Sequence, residues 1–204
     1  MQVPPLETAR LTIRPFVIED LDDIHRILDV ELHNAETGDA GPQLLAGRRQ
    51  WVEWSILNYE QLANLYQPPY SDRAVVLKQT GQLIGACGFV PCLAPFTQLP
   101  YFAGTPDPAP TELTTPEFGL YYALSPAHHR RGYATEAAGA LIDYAFRHLH
   151  LKRVIATTAY NNAGSAGVMR KLGMRIERNP YATPPWLQIV GVLENPILTS
   201  NVPE

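Results

Sequence analysis

A glycine flanked by cations joins an apolar, strand-like run to an amphipathic run at residues 124–137, which read Leu-Ser-Pro-Ala-His-His-Arg-Arg-Gly-Tyr-Ala-Thr-Glu-Ala. Unpaired amides at a helix N-terminus offer hydrogen-bond donors and partial positive charge, and His129, Arg130 and Arg131 add charge at the same place. Gly132 lets the backbone approach a ligand closely. The segment therefore predicts a local site for a phosphate-bearing ligand. The alternative is an ordinary strand-to-helix turn whose arginines are solvated.

The composition indicates an ordered, globular chain. Its 204 residues, 46% of them hydrophobic, can bury a core as one domain or as one domain with a large insertion. The formal net charge of -4 argues against bulk nucleic-acid binding, so an anion site should be local. The N-terminus lacks the pattern of a secretory signal, and no apolar run is long enough to cross a bilayer. We therefore expect a cytoplasmic protein with neither nucleic-acid nor membrane partners.

Cysteine and histidine usage gives little support for a metal site or a disulfide scaffold. Cys87 and Cys92 are two residues in a strand-like context, too few for either, and are expected to be reduced, buried thiols. None of the six histidines forms a His-Glu-x-x-His motif. We therefore expect no metal cofactor.

The periodicity of apolar residues places the turn within an alternating series of strands and helices. Strands are predicted at 11–16, 73–78, 83–90, 117–124, 151–159, 174–177 and 187–194, and helices after Asp20, at 44–66, after Gly132 and after Asn162. Asp20 is predicted to cap the first helix, and Gly173 to end the last one in a left-handed conformation. Because a helix connects strands 117–124 and 151–159, these two strands should be parallel.

Residues 91–116 interrupt the pattern with seven prolines, which exclude regular helix. Their aromatic residues Phe96, Tyr101 and Phe102 predict a loop that packs on the protein, because a solvated linker has little use for aromatic side chains. We therefore predict a single domain over residues 1–204 with a proline-rich insertion at about 91–116.

Four short motifs in order resemble the GNAT N-acetyltransferases, in particular the branch of ribosomal-protein N-terminal acetyltransferases. They are Glu7-Thr-Ala-Arg-Leu-Thr-Ile-Arg-Pro15, Gly132-Tyr-Ala-Thr-Glu-Ala137, Asn162-x-x-Ser165 and Lys171-Leu-Gly-Met174. The resemblance spans about residues 6–194. It implies the α/β acyl-CoA N-acyltransferase fold, a central, mostly antiparallel sheet with two splayed parallel strands and helices on both faces.

The resemblance also implies acetyl-CoA as co-substrate. The family's signature, Gln or Arg followed by x-x-Gly-x-Gly or Ala, maps onto 129–134, where His129 departs from the pattern and Arg130 stands where a second glycine is common. Backbone amides could still cradle the diphosphate, because they need no particular side chain. The implied cofactor-binding residues are Leu124, His129, Arg130, Arg131, Gly132, Tyr133, Ala134, Thr135, Asn162 and Ser165.

Acetyl transfer to an amine requires a neutral amine, a stabilised carbonyl oxygen and a protonated leaving thiolate. Glu117, at the start of the strand expected beside the thioester, is the first candidate for general base, directly or through a water, and an exposed strand-end carboxylate is its alternative. Glu136 is the second, with ordering of the turn as its favoured role. Ser165 is the candidate general acid, or else a capping or cofactor contact, and Asn162 either holds pantetheine or caps the helix.

Further expectations concern the oxyanion and the acceptor. A strand backbone N–H, with Gly119 marking a bulge or tight packing, is expected to stabilise the oxyanion. One of Tyr121 and Tyr122 should face the cleft while the other packs in the core. Core packing is favoured over site lining for Trp51 and Trp54.

The predicted function is an N-acetyltransferase that moves acetyl from acetyl-CoA to a primary amine by direct attack in a ternary complex. The acceptor, a protein N-terminus or a small molecule, should enter opposite the cofactor, and insertion 91–116 should wall its site. The expected surroundings are the first two helices, the 73–90 hairpin end and a C-terminal loop with Tyr181, Pro184, Pro185 and Trp186. A catalytically silent acyl-CoA-binding sensor or scaffold is the alternative. Proteins of this fold often pair through C-terminal strands, so a homodimer is a further expectation.

Overall fold

The computed structural model of the protein describes residues 4–32 and 43–196 and has a mixed, mostly antiparallel sheet of eight strands. The strands are β1 (Leu6–Glu7), β2 (Leu11–Pro15), β3 (Asp72–Leu77), β4 (Leu83–Ala94), β5 (Thr115–Leu124), β6 (Arg153–Thr158), β7 (Arg175–Arg178) and β8 (Ile189–Glu194). The helices are α1 (Leu21–His25), α2 (Leu45–Asn64), α3 (Pro100–Ala103), α4 (Tyr133–Arg147) and α5 (Ala163–Lys171). A π-helical turn at Arg26–Glu31 extends α1, and 3-10 turns lie at Ile18–Asp20, Phe96–Gln98 and Pro126–His128. The α/β fold class predicted from the sequence is confirmed.

The chain divides into two compact units, and the first contains the described residues up to Val90 together with Tyr121–Leu141. Strands β1 to β4 are antiparallel neighbours in chain order there, and Gly81, with φ of 70°, makes the predicted hairpin turn between β3 and β4. Apolar residues of α1, α2 and the sheet form its core, including Phe16, Ile24, Leu28, Val52, Ala74 and Ala123. A Cβ on Gly85 would lie 2.2 Å from the carbonyl oxygen of Ala123, so glycine permits this close packing of backbone.

The second unit contains Pro91–Leu120 and the described residues from Ile142 onward. Here β5 pairs with β6 in parallel, with Gly119 opposite Ile155, and β6, β8 and β7 follow as antiparallel neighbours. The parallel pairing across helix α4 is as predicted. Phe96 and Leu99 from the insertion are fully buried beside Ile155, so the insertion packs on the protein as its aromatic residues indicated.

Three local predictions need correction. The insertion contains one turn of α-helix, α3, because Pro100 occupies its first position, where a missing N–H removes no helical hydrogen bond. Asp20 makes no cap bond to α1 and instead closes the preceding 3-10 turn, accepting 2.9 Å from Val17 N–H and pairing with Arg14. Both cysteines are free, but Cys92 is only half-buried.

Two features are absent from the part of the chain that the structure describes. No helix among residues 4–32 and 43–196 is long and apolar enough to cross a membrane. The same residues contain no cluster of three histidine, cysteine, aspartate or glutamate side chains placed to hold a metal ion. Residues 1–3, 33–42 and 197–204, which the single-domain prediction includes, lie outside the described residues.

Candidate active site

The cationic glycine turn contains two residues in the left-handed conformation. Strand β5 ends at Leu124, the chain makes a 3-10 turn, and α4 begins at Tyr133. Arg130 has φ of 59° and Gly132 has φ of 82°, so two nearly adjacent residues are left-handed. Left-handed residues within a tight turn direct successive N–H groups into one concavity, which suits an anion. The left-handed Arg130 also explains why glycine is common at this position in the family signature, since glycine takes that conformation without strain.

His129, the atypical first residue of the signature, fastens the turn to the end of the strand. Its Nε2 lies 2.8 Å from the carbonyl oxygen of Leu124. A carbonyl oxygen only accepts, so Nε2 carries the proton and donates it in this contact. His129 therefore acts within the turn through Nε2, and the Leu124 carbonyl oxygen already accepts a hydrogen bond.

Glu136, the second candidate base, is fully engaged in bracing the turn. Its Oε1 accepts hydrogen bonds from the Thr8 hydroxyl at 2.6 Å and from Arg10 N–H at 2.9 Å, and its Oε2 accepts one from Arg10 Nε at 2.7 Å. Partial burial opposes ionisation, but the bonds from Thr8 and Arg10 outweigh it and lower the pKa of Glu136. This geometry agrees with the turn-ordering role that the sequence favoured for Glu136.

Glu117, the first candidate base, forms an ion pair with Arg153 of the neighbouring strand. Arg153 Nε donates to Glu117 Oε2 at 2.7 Å, and Nη2 donates to Oε1. Arg153 also lies 3.5 Å from Glu194, whose carboxylate accepts a hydrogen bond from Tyr101 of the insertion. The hydrogen bond with Glu117 raises the pKa of Arg153 and so keeps it cationic. Both oxygens of the candidate base therefore already have a cationic partner.

The Glu117–Arg153 pair borders an open depression in the second unit, with a volume of about 350 Å³. Its walls are Pro91, Pro116, Glu117, Phe118, Lys152 and Arg153. The Arg153 guanidinium also lies over the Phe102 ring at 5.0 Å, so the insertion packs directly on the pair. Glu117 thus lies directly after the insertion in the chain, and its side chain is 6% exposed.

Asn162 and Ser165 meet at the start of α5. Asn162 Oδ1 accepts a hydrogen bond from the Ser165 backbone N–H at 2.9 Å, and this is the N-cap of the helix. Gly173 follows the helix with φ of 79°, as predicted. The capping alternative for Asn162 is therefore confirmed for Oδ1. The Ser165 hydroxyl takes no part in that cap bond.

The predicted site residues fall into two groups. The turn, from Leu124 to Thr135, lies with Glu136 in the first unit, whereas Glu117, Asn162 and Ser165 belong to the second. Within the second unit, Glu117 lies on β5 and the pair Asn162 and Ser165 at the N-terminus of α5.

Aromatic residues proposed near the acceptor are split between core and surface. Trp51 packs edge-to-face on Phe16 at 5.2 Å, whereas Trp54 is 51% exposed, so core packing is wrong for Trp54. Tyr121 packs against the first unit's core. In the second unit the Tyr181 hydroxyl donates to the Pro108 carbonyl at 2.6 Å, tying the C-terminal loop to the insertion.

Arg10 and Thr8 are the contributors to the turn that the sequence argument did not identify. Both residues belong to the motif at 7–15 that resembles the family, and the sequence alone gives this motif no role at the turn. Its partner Glu136 lies 126 positions from Arg10, so only the fold reveals the contact. The sequence signal for this contact is the opposite charge of Arg10 and Glu136, each of which lies inside a motif of the resemblance.

Comparison with known proteins gives the family. The model of the acetyltransferase (GNAT) domain matches residues 10–175. The uncharacterized N-acetyltransferase p20 of Bacillus licheniformis is 27% identical over 173 residues, 84% of this chain and 83% of p20. The uncharacterized N-acetyltransferase YnaD of Bacillus subtilis (strain 168) is 43% identical over 60 residues, 29% of this chain and only 35% of YnaD.

Solved structures agree in fold over nearly the whole chain. The acetyltransferase from Agrobacterium tumefaciens str. C58 superposes with a TM-score of 0.67 and 25% identity, covering 95% of this chain and 96% of that one. The ribosomal-protein-S5-alanine acetyltransferase from Vibrio fischeri shares the fold with a TM-score of 0.64 at 17% identity, covering 95% and 97% of the two chains. The resemblance found in the sequence is confirmed, and the chain belongs to the GNAT acetyltransferase family.

Proposed function

We propose that this protein is an N-acetyltransferase that moves an acetyl group from acetyl-CoA to a primary amine by direct attack in a ternary complex. The observation that carries the proposal is the turn at 129–134, where two left-handed residues precede the N-terminus of α4 in a GNAT domain. Such a turn offers convergent N–H groups and helix-dipole charge to a diphosphate. Arg130 and Arg131 add exposed cations beside it.

The proposed cofactor contacts follow the family signature. The amides of residues 130–134 bind the diphosphate, and the end of β5 at Leu124 and the amide of Asn162 bind the pantetheine arm. Asn162 Oδ1 is used by the helix cap, so its Nδ2 is the group proposed to donate to the ligand. The full proposed set is Leu124, His129, Arg130, Arg131, Gly132, Tyr133, Ala134, Thr135, Asn162 and Ser165.

For the chemistry, we assign Glu117 to proton removal from the amine and Ser165 to protonation of the leaving thiolate. A carboxylate has about four lone-pair sites, and the hydrogen bonds from Arg153 occupy two of them. A proton can therefore reach Glu117, directly or through a water, without breaking the ion pair. A backbone N–H of β5 is assigned to the carbonyl oxygen as it gains negative charge.

The acceptor is proposed to be a protein N-terminus or a small primary amine, with the insertion 91–116 forming one wall of its site. Three observations within the second unit support that wall. The insertion buries Phe96 and Leu99, places Phe102 on Arg153, and is tied to Tyr181. Replacing residues 104–112 by a short glycine–serine linker should change the acceptor range, and an unchanged rate for every acceptor would remove this assignment.

Two measurements test the function. The first is thermal unfolding with and without CoA, because a ligand that binds only the native state raises its stability. The second is release of free CoA from acetyl-CoA with a panel of amines, including peptides with N-terminal serine or alanine, polyamines and amino acids. Stabilisation by CoA and acetylation of at least one amine are expected. No stabilisation at saturating CoA overturns the assignment, and stabilisation without transfer to any amine favours the silent acyl-CoA-binding alternative.

A further inference from the structure

Arg10, from the opening motif, reaches the cationic glycine turn and is held there in a fixed orientation. Its Nε and Nη2 both contact Glu136 Oε2, at 2.7 and 2.6 Å. The same carboxylate accepts the Arg10 backbone N–H and the Thr8 hydroxyl through Oε1. Glu136 is itself fixed in the first turn of α4. The plane of the guanidinium is therefore set by the helix that follows the turn.

The remaining arm of the guanidinium holds one peptide of the turn. Arg10 Nη1 donates to the carbonyl oxygen of Arg131 at 3.0 Å. In a planar trans peptide the C=O and the following N–H point in opposite directions. Fixing the Arg131 carbonyl on the Arg10 side therefore turns the Gly132 N–H to the opposite side. That N–H is one of the donors proposed for the diphosphate.

Gly132 and Tyr133 both lie beside the Arg10 guanidinium. Gly132 has φ of 82°, a conformation that strains any residue with a Cβ, and a Cβ placed there would be in ordinary contact with Arg10 Nη2 at 3.4 Å. The Arg10 guanidinium also lies over the Tyr133 ring, 4.4 Å from its centre. Glycine at this position thus serves the left-handed conformation, and Arg10 packs beside it.

We propose that Arg10 is a positioning residue for recognition of the acetyl-CoA diphosphate, acting by orienting the peptide between Arg131 and Gly132. The inference rests on the proposed function. The role proposed for Arg10 depends on the shape of its side chain and not on its charge alone. Lysine at the same position would keep the charge, but it lacks the planar guanidinium that contacts Glu136 and the Arg131 carbonyl together.

The test compares three acetyl donors with wild type, R10K, R10M and R49M. Acetyl-CoA and acetyl-dephospho-CoA both contain the diphosphate, whereas S-acetylpantetheine lacks it. Arg49, an exposed arginine 3.9 Å from Glu53 on α2, provides the matched control for loss of a surface ion pair. The readout is kcat/KM for each donor with one acceptor amine, together with the CoA Kd by titration calorimetry. Thermal unfolding confirms that each variant is folded.

We expect R10M and R10K to lose roughly tenfold to a hundredfold in kcat/KM with both diphosphate donors, the range of one charge-assisted hydrogen bond. Activity with S-acetylpantetheine should change by less than about twofold, and R49M should match wild type with all donors. A general loss of folding would lower kcat/KM equally with all three donors. E136Q, which loosens the guanidinium without removing it, should show the same donor pattern if R10M fails to fold.

The contrary outcomes are distinct. In a variant that thermal unfolding shows to be folded, equal losses of kcat/KM with all donors overturn the positioning role of Arg10. An R10K activity equal to that of wild type also overturns it. If wild type and R10M bind CoA with the same Kd, this inference is overturned and the proposed function stands. Wild type that binds no CoA overturns both.

Discussion

Glu117 and Arg153 face each other on parallel strands β5 and β6, two positions before the pairing of Gly119 with Ile155, and two hydrogen bonds join their charged groups. The Glu117 side chain is 6% exposed and that of Arg153 is 26% exposed. A carboxylate this buried depends on its partner for charge compensation. The pair can therefore stabilise the fold and still serve chemistry, and different substitutions separate these roles.

E117Q tests the chemical role. If Glu117 accepts the amine proton, E117Q should lower kcat about a hundredfold or more while the KM for acetyl-CoA changes little, the usual loss for a general base. E177Q is the matched control, because Glu177 is also buried and pairs with an arginine, Arg175, at 2.5 Å. Steady-state rates at saturating amine provide the measurement. An E117Q enzyme with kcat within threefold of the control would exclude Glu117 as base.

R153M tests the structural role. Removing the guanidinium leaves the Glu117 carboxylate buried without its cationic partner, so we expect a loss of about 3 kcal/mol in the free energy of unfolding. The double variant E117Q/R153M removes both charges and should recover most of that loss. Urea unfolding at pH 7.5 measures both. A double variant no more stable than R153M would show that packing against Phe102, rather than charge pairing, dominates.

Asp72 offers a pH-dependent prediction in the first unit. It is 4% exposed, its Oδ1 has no hydrogen-bond partner among the described residues, and burial raises its pKa to about 7 despite the attraction of Arg48. The unfolded value is about 4, so between about pH 4 and 7 the folded state keeps a proton that the unfolded state has lost. Stability from this group is therefore greatest at low pH and falls as pH rises to about 7.

D72N removes that titration while keeping the side-chain size. The unfolding free energy of wild type relative to D72N should be lower at pH 8 than at pH 5. Over the whole range from about pH 4 to pH 7, the shift in pKa corresponds to a fall of about 4 kcal/mol. Urea unfolding of both proteins at the two pH values provides the comparison. A difference between the two proteins that does not change with pH would mean that Asp72 titrates alike in both states.

Local signals explain what could be predicted from the sequence. The turn at 129–134, the hairpin at Gly81 and both ends of α5 depend on residues within a few positions of each other. Trp54 was placed wrongly because the buried face of α2 is set by Val52, Ser55 and Tyr59. At 100° per residue, Trp54 lies about 200° around the helix from Val52, on the opposite face.

Distant pairs explain what could not be predicted. Glu117 and Arg153 are 36 positions apart, and Arg10 and Glu136 are 126 apart, so only the sheet register and the packing of α4 bring them together. The π-helical turn at Arg26–Glu31 also has no clear sequence signal. It places Asp29 against Arg48 at 2.8 Å, a buried contact between α1's extension and α2.

The start of α5 allows folding and chemistry to be tested separately. The cap bond joins the Asn162 side chain to the backbone N–H of Ser165, so N162A should lower stability by about 1 kcal/mol, whereas S165A retains the bond. If the Ser165 hydroxyl protonates the thiolate, S165A should lower kcat roughly tenfold or more while the cap bond of its backbone N–H is kept. N162D, which keeps an acceptor oxygen, should retain the cap. S165A with wild-type kcat would leave Ser165 no role as general acid, since its backbone alone makes the cap.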